Sequence, residues 1–247
     1  MNPLATPARS SDLSPNTKAR LAGVLLLITM AGGAFAQGII ASRLIVGGDA
    51  AATAGNITTH EALYRLAFAV YLMEMACQIA ATVLFYDLLK PVSKPGASLM
   101  AAFGLAGCTI KTLGRVFFFA PLLVLGGGGY LRAFNVGQLQ AASLLALRLN
   151  YTAETIAMVF FGLGSLLKGY LVFRSTFLPQ ALGVLSSAGG LGWMFYLYEP
   201  LAFRLQSYIV GAGFVGALAT VLWLLVKGID DQRWKERADA AAASDWR

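Results

Sequence analysis

The sequence predicts an all-α protein: an integral membrane bundle of six transmembrane helices, with a short interfacial helix between spans three and four. Apolar runs of about 20 residues, the length that crosses the hydrocarbon core of a bilayer, recur along the chain. The composition is 57% hydrophobic and 13% charged. About 25% of the residues of an ordinary soluble domain are charged. Both observations indicate a multi-span membrane protein.

The first half of the chain predicts three spans. Span one begins after Lys18 and stays apolar to residue 44, and a polar connection follows it. Within this connection Asp49 is placed to cap a short Ala-rich helical turn. Thr58 and Glu61 match a capping box for the start of span two. Spans two and three are joined by the short turn at residues 90–96, which contains two prolines.

The second half predicts a short helix and three further spans. Glycines at 126–129 break the chain, and residues 138–149 are amphipathic but too short to cross, which favours an interfacial helix. Lys168 lies near one end of span four, where it can extend to the interface. Span five ends in an aromatic belt. The six predicted spans are residues 19–44, 61–89, 97–125, 151–173, 178–198 and 205–226.

The two ends of the chain differ from this membrane domain, which covers residues 19–228. Residues 1–18 are rich in Pro, Ser and Ala without periodicity, so we expect a disordered cytoplasmic tail. Residues 229–247 form a charged cytoplasmic tail.

The distribution of basic residues predicts the orientation in the membrane. The side that holds both termini carries eleven: Arg9, Lys18, Arg20, Lys90, Lys94, Arg174, Lys227, Arg233, Lys235, Arg237 and Arg247. The opposite side carries four: Arg43, Arg132, Arg148 and Arg204. Because cytoplasmic segments hold the excess of Lys and Arg, both termini are predicted to be cytoplasmic.

Charged residues in the middle of spans two and three mark the candidate site. Glu74 and Lys111 are equally distant from the turn at residues 92–93, so folding the hairpin brings them to one depth near the bilayer centre. An ionisable residue there costs about 2.5–3.5 kcal/mol on insertion scales and is a functional candidate by default. The predicted ligand-binding residues are Tyr71, Glu74, Gln78, Lys111, Arg115 and Glu154. Further candidates in the outer loop are Arg43, Asp49, His60, Glu61 and Arg65.

Two interpretations of these charges remain open. In the first interpretation, the charges form a buried ion pair that only fixes the register of two helices. Such a pair does not by itself indicate a function. Alternatively they line a polar chamber that opens to the outer side and binds a small amphipathic or lipid-like ligand through its polar or anionic head group. Rival hypotheses are an accessory subunit that packs on a membrane-protein partner, and an intramembrane enzyme. The ligand-binding interpretation also includes a transporter, although no inverted repeat is evident in the sequence.

Several function classes find no support in the sequence. The net charge of +7 is scattered rather than gathered on one face, so no nucleic-acid partner is predicted. Two cysteines and one histidine do not form a zinc cluster, and no cofactor is predicted. The GxGxxG spacing at residues 211–216 lies inside an apolar span and indicates close helix packing instead of a nucleotide site. The partners predicted are membrane lipids, a small amphipathic ligand and a membrane protein.

Short sequence segments spread along the chain carry a family resemblance. They are Arg20-Leu21-Ala22-Gly23, Ser42-Arg43-Leu44-Ile45-Val46, Asp49-Ala50-Ala51-Ala52-Thr53-Ala54, Glu61-Ala62-Leu63-Tyr64-Arg65, Phe160-Phe161-Gly162-Leu163, Gly169-Tyr170-Leu171, Arg174-Ser175, Leu178-Pro179 and Leu182-Gly183. Together they resemble the uncharacterised, mainly bacterial membrane family called domain of unknown function 4386, over residues 19–228. The resemblance implies six spans and a bacterial inner membrane, and it supplies no activity. In that family a histidine is common at the position of Gly164, and an acidic residue at that of Gln78.

Overall fold

The computed structural model describes residues 13–244, and every regular element in that range is helical, as predicted. Among these residues, five helices are long and apolar enough to cross a membrane. The helices are α1 Pro15–Leu44, α2 Ala50–Thr59, α3 Glu61–Leu89, α4 Lys94–Leu125, α5 Val136–Arg174, α6 Gln180–Met194, α7 Glu199–Val226 and α8 Asp231–Ser244. Short 3-10 turns at Gly129–Ala133 and Phe195–Leu197 precede α5 and α7.

Six of these helices form a closed ring in which each packs antiparallel to the next, in the order α1, α3, α4, α5, α6, α7 and back to α1. The ring closes where Asn16 at the start of α1 accepts a hydrogen bond of 3.3 Å from the backbone N–H of Ile229, just after α7. Both termini of the ring therefore lie at one end of the bundle, here called the termini end. The opposite end, here called the far end, carries α2.

The hairpin of α3 and α4 agrees with the sequence. Helix α3 has the predicted bounds, Glu61–Leu89, and α4 begins at Lys94, three residues earlier than predicted. Ser93 ends the turn because its side-chain oxygen accepts a hydrogen bond of 3.2 Å from the backbone N–H of Gly96. The short turn fixes the register in which the two helices face each other.

Helix α5 corrects the prediction of a separate interfacial helix. Residues 138–149 and the predicted fourth span are parts of one continuous helix of 39 residues, Val136–Arg174. Residues 138–161 contain neither Gly nor Pro, so nothing interrupts the backbone hydrogen bonds. At about 1.5 Å per residue, α5 is longer than the thickness of a hydrocarbon core, about 30 Å.

Helix α6 corrects the length of the predicted fifth span. It has 15 residues, Gln180–Met194, instead of the 21 expected between residues 178 and 198. Its length is about 22 Å, less than a hydrocarbon core. The 3-10 turn at Phe195–Leu197 ends it, and α7 begins at Glu199 with Pro200 in its first turn, six residues earlier than predicted. Even so, α6 lies antiparallel between α5 and α7.

Glycines let α5, α6 and α7 approach one another closely. A Cβ atom added at Gly183 would lie 2.6 Å from the carbonyl oxygen of Gly169, and one added at Gly190 would lie 2.8 Å from that of Gly162. The GxGxxG segment also packs, since a Cβ at Gly216 would lie 2.8 Å from the carbonyl oxygen of Leu185. The interpretation of this segment as helix packing is confirmed.

The ends of the ring are tied down by capping and docking contacts. Ser14 caps α1 at 3.1 Å, so residues 15–18 are helical rather than part of a tail. At the C-terminus, the Trp234 side chain in α8 donates a hydrogen bond of 2.8 Å to the Leu88 carbonyl. The predicted tail at residues 1–12 and the last residues, 245–247, lie outside the described residues.

The connection at the far end is more ordered than its sequence suggested. Asp49 caps the ten-residue helix α2 by accepting a 2.8 Å hydrogen bond from the Ala52 backbone N–H, as predicted. The predicted capping box at Thr58 is wrong. The Thr58 hydroxyl donates back to the Ala54 carbonyl at 3.0 Å, and α3 starts after His60 without a side-chain cap.

Candidate functional site

The predicted ion pair is present at mid-depth in the hairpin. Lys111 Nζ of α4 lies 2.7 Å from Glu74 Oε1 of α3, and the two side chains are 11% and 6% exposed. Gly33 of α1 lies beside this pair, since a Cβ built there would be in ordinary van der Waals contact with Glu74 Oε1 at 3.4 Å. Equal spacing from the turn thus predicted the depth of both residues correctly.

Arg115 has a partner that the sequence did not reveal. Its guanidinium forms an ion pair with Glu154 of α5 and donates a 3.1 Å hydrogen bond to Asn150 Oδ1. The Arg115 side chain is 1% exposed. Its Cζ atom also lies 3.6 Å from the centroid of the Tyr71 ring, a cation–π contact that is strong when desolvated. Arg115 therefore links α3, α4 and α5.

A π-helical segment of α1 completes this arrangement. Residues Ala34–Ala41 form π-helix, and Gln37 in this segment accepts a hydrogen bond from the Tyr71 hydroxyl. Segments of π-helix occur frequently at functional sites. The ion pairs and hydrogen bonds of the site thus involve side chains from four helices, α1, α3, α4 and α5.

These side chains line a cavity of about 180 Å³, here called the chamber, inside the bundle. A second cavity of about 370 Å³, here called the vestibule, lies at the far end and shares Gln37, Tyr151 and Glu154 with the chamber. The vestibule is mainly apolar, with Ile45, Leu144, Leu147 and Phe203 on its walls, and also contains Arg148 and Glu199. The chamber therefore adjoins a wider, partly apolar space at the far end.

The charges of the chamber are balanced. Lys111 and Arg115 each face one carboxylate, those of Glu74 and Glu154. Of the three buried side-chain atoms that lack a hydrogen-bond partner within the described residues, two belong to these ion pairs: Glu74 Oε2, an acceptor, and Arg115 Nε, a donor. Buried polar atoms are normally paired, so Glu74 and Arg115 have unused capacity to accept one hydrogen bond and donate another.

Two residues differ from their predicted places. Gln78 is not in the chamber; it lines a separate cavity of about 60 Å³ toward the termini end. It points there because it lies one helical turn beyond Glu74 on α3. Lys168 lines the same separate cavity and lies 5.2 Å from the centroid of the Phe85 ring, so it points into the bundle rather than out to the interface.

The outer-loop candidates lie apart from the chamber. Glu61 and Arg65 form an exposed ion pair at 2.7 Å on the first turn of α3, and His60 Nδ1 lies 3.1 Å from the Asn56 carbonyl oxygen. Asp49 serves as the cap of α2, and Arg43 is exposed at the end of α1. Within residues 13–244, none of these five side chains lines the chamber or the vestibule.

Sequence reasoning missed several residues of the site. A signal existed for Gln37, an amide in an otherwise apolar run, and for Asn150, which lies in what looked like a break. Trp193 and Tyr196 were assigned to an interfacial belt, yet they line the chamber. The missed polar and aromatic residues include Gln37, Asn150, Tyr151, Thr155, Trp193, Tyr196 and Gln206. No group of His, Cys, Asp and Glu suited to a metal ion occurs among the residues that the structure describes.

Long apolar helices around a charged, hollow interior define a multi-span membrane protein. The family model described as Domain of unknown function (DUF4386) matches residues 21–228, and the chain belongs to this family, as the resemblance predicted. An uncharacterised protein of Archaeoglobus fulgidus is 28% identical over 153 residues, which cover 61% of this chain and 76% of the relative. No solved structure matches the chain.

Proposed function

We propose that the protein binds a small amphipathic or lipid-like molecule, with the polar head group in the chamber and the apolar part in the vestibule. The observation that carries this proposal is the chamber itself, a space of about 180 Å³ lined by four charged side chains and adjoining a mainly apolar space of about 370 Å³. Fixing the register of two helices needs one polar pair, whereas the chamber holds two pairs, an arginine–aromatic contact and unfilled volume.

The charge balance of the chamber indicates which charge the head group of the ligand carries. An anionic head group would compete with Glu74 or Glu154 for cations that are already paired at 2.7 Å or closer. A neutral or zwitterionic head group avoids this cost. One that donates to Glu74 Oε2 and accepts from Arg115 Nε would also satisfy the two unpaired buried atoms. We therefore favour a head group that carries both a donor and an acceptor.

The distribution of basic residues favours one orientation in the membrane. Basic residues concentrate at the termini end, so this end would face the cytoplasm of a bacterial cell, with the protein in the inner membrane. The vestibule at the far end would then open to the outer side. Transport would require a second conformation in which the chamber opens toward the termini end.

The test is native mass spectrometry of protein purified in mild detergent, followed by identification of small molecules that remain bound. We expect a retained amphipathic molecule in the wild type and its loss from the double variant Glu74→Gln/Lys111→Met, which keeps the fold but removes both charges. The matched control is Glu61→Gln/Arg65→Met, which removes an exposed pair from the same helix and should leave binding intact. No bound molecule in the wild type, or a stoichiometric protein in its place, would contradict the proposal and favour an accessory subunit.

A further inference from the structure

Lys168 is a cation in the bundle interior for which the described residues supply no counter-charge. Three cationic side chains lie inside the ring, Lys111, Arg115 and Lys168, against two carboxylates, Glu74 and Glu154. Both carboxylates are bound to the other two cations. The interior thus carries one positive charge in excess, and an unmatched charge there is costly.

The surroundings of Lys168 are suited to an anion. Lys168 lines the cavity of about 60 Å³ together with Gln78 and Ser165. In the described part of the chain, no hydrogen-bond partner is found for the side chains of these three residues, which offer an ammonium, an amide and a hydroxyl donor. The Phe85 ring, 5.2 Å from Nζ, closes one side.

The size of the space limits what can bind. A water molecule needs about 10–15 Å³ measured in the same way, so 60 Å³ holds a few water-sized groups and no lipid head group with its chains. We propose that Lys168, Gln78 and Ser165 form a second site, distinct from the chamber, that binds a small monovalent anion, either a halide or a short carboxylate. The bound anion neutralises the excess interior charge.

This site is independent of the proposed chamber ligand, because the cavity that holds Lys168 shares no lining residue with the chamber. The probes are chloride and formate, added to protein purified in gluconate, an anion too large for the cavity. At about ten times its Kd, the bound anion should raise the Tm of the wild type by about 3–6 °C over gluconate at equal ionic strength. The larger of the two shifts identifies the preferred anion.

The variant Lys168→Met should show no such shift, and in gluconate its Tm should exceed that of the wild type because the unpaired charge is gone. The control Lys94→Met removes an exposed lysine at the same end of the bundle and should keep the full shift.

Crystals of the wild type soaked in bromide should show an anomalous peak beside Lys168 Nζ, a measurement that does not depend on the variant folding. No shift in the wild type, an equal shift in Lys168→Met, or no bromide in the cavity would each overturn the proposal.

Discussion

At the scale of the residue, the interior of this protein depends on charges that neutralise each other. Glu74 and Lys111 lie near the middle of α3 and α4, with 6% and 11% of their side chains exposed. Breaking a buried pair by removing one partner leaves the other charge stranded, which costs more than replacing both. The stability of the hairpin therefore depends on the two residues jointly.

A double-mutant cycle measures how strongly Glu74 and Lys111 are coupled. Glu74→Gln and Lys111→Met should each lower the free energy of unfolding by about 3–5 kcal/mol, because each leaves one buried charge unmatched. The double variant should recover much of that loss. Thermal or denaturant unfolding in detergent measures the coupling energy.

The exposed pair Glu61 and Arg65, with side chains 52% and 53% exposed, is the control for this cycle. Its coupling should be no more than about 1 kcal/mol because solvent screens it. Additive losses for Glu74 and Lys111, without recovery in the double variant, would show that the two charges are not energetically coupled.

The residue scale also shows which part of the site was predictable. The pairing of Glu74 with Lys111 followed from the constant rise of a helix and a short turn, both legible in the sequence. The partner of Arg115 was not legible. It depends on how far α5 rotates and on which helix packs beside α4, and these follow from the packing of the whole ring. Gln78 was misplaced for the same reason, since spacing along a helix does not say where one cavity ends and another begins.

At the scale of the element, the limits of prediction lie in α5 and α6. Helix α3 was predicted with its observed bounds because polar turns flank a single apolar run. Helix α5 was divided in two because residues 138–149 show a short amphipathic pattern, although neither Gly nor Pro interrupts residues 138–161. Helix α6 was drawn too long because the aromatic residues after Met194 are as apolar as a span; in the structure Phe195–Leu197 form a 3-10 turn.

The close packing of α5 and α6 at Gly183 leaves no space for a side chain. A methyl group at Gly183 would lie 2.6 Å from the Gly169 carbonyl oxygen and 2.7 Å from the Phe173 backbone nitrogen. Backbone atoms, unlike a flexible side chain, cannot relieve such a contact by changing rotamer. Gly183→Ala should therefore force α5 and α6 apart and lower the free energy of unfolding by about 1–3 kcal/mol. The loss of Tm in detergent measures it.

Gly211 in α7 is the matched control, since a Cβ there meets nothing within 4 Å. Gly211→Ala should leave stability unchanged or raise it by up to about 1 kcal/mol, the helix propensity gained. Equal melting temperatures for the two alanine variants would show that α5 and α6 are not in close contact at Gly183.

At the scale of the whole molecule, the closed ring decides the topology. Helices α5 and α7 run parallel because α6 reverses the chain between them, so both termini lie at one end although α6 is only about 22 Å long. Where a helix is shorter than the hydrocarbon core, the bilayer thins or the flanking residues reach the interface, at modest cost. We therefore expect α6 to count as a crossing.

Cysteine labelling in intact cells tests this topology, with Thr176→Cys before α6 and Leu197→Cys after it, both at exposed positions. Leu197→Cys should react with a membrane-impermeant reagent added outside, and so should Ala51→Cys in α2. Thr176→Cys should react only after the cells are opened, and a reporter fused after Arg247 should be active in the cytoplasm. The native thiols of Cys77 and Cys108 are buried and should contribute little background. If Thr176→Cys and Leu197→Cys react from the same side, α6 does not cross.

If Ala51→Cys reacts only from the cytoplasm, the orientation is inverted and the vestibule opens inward.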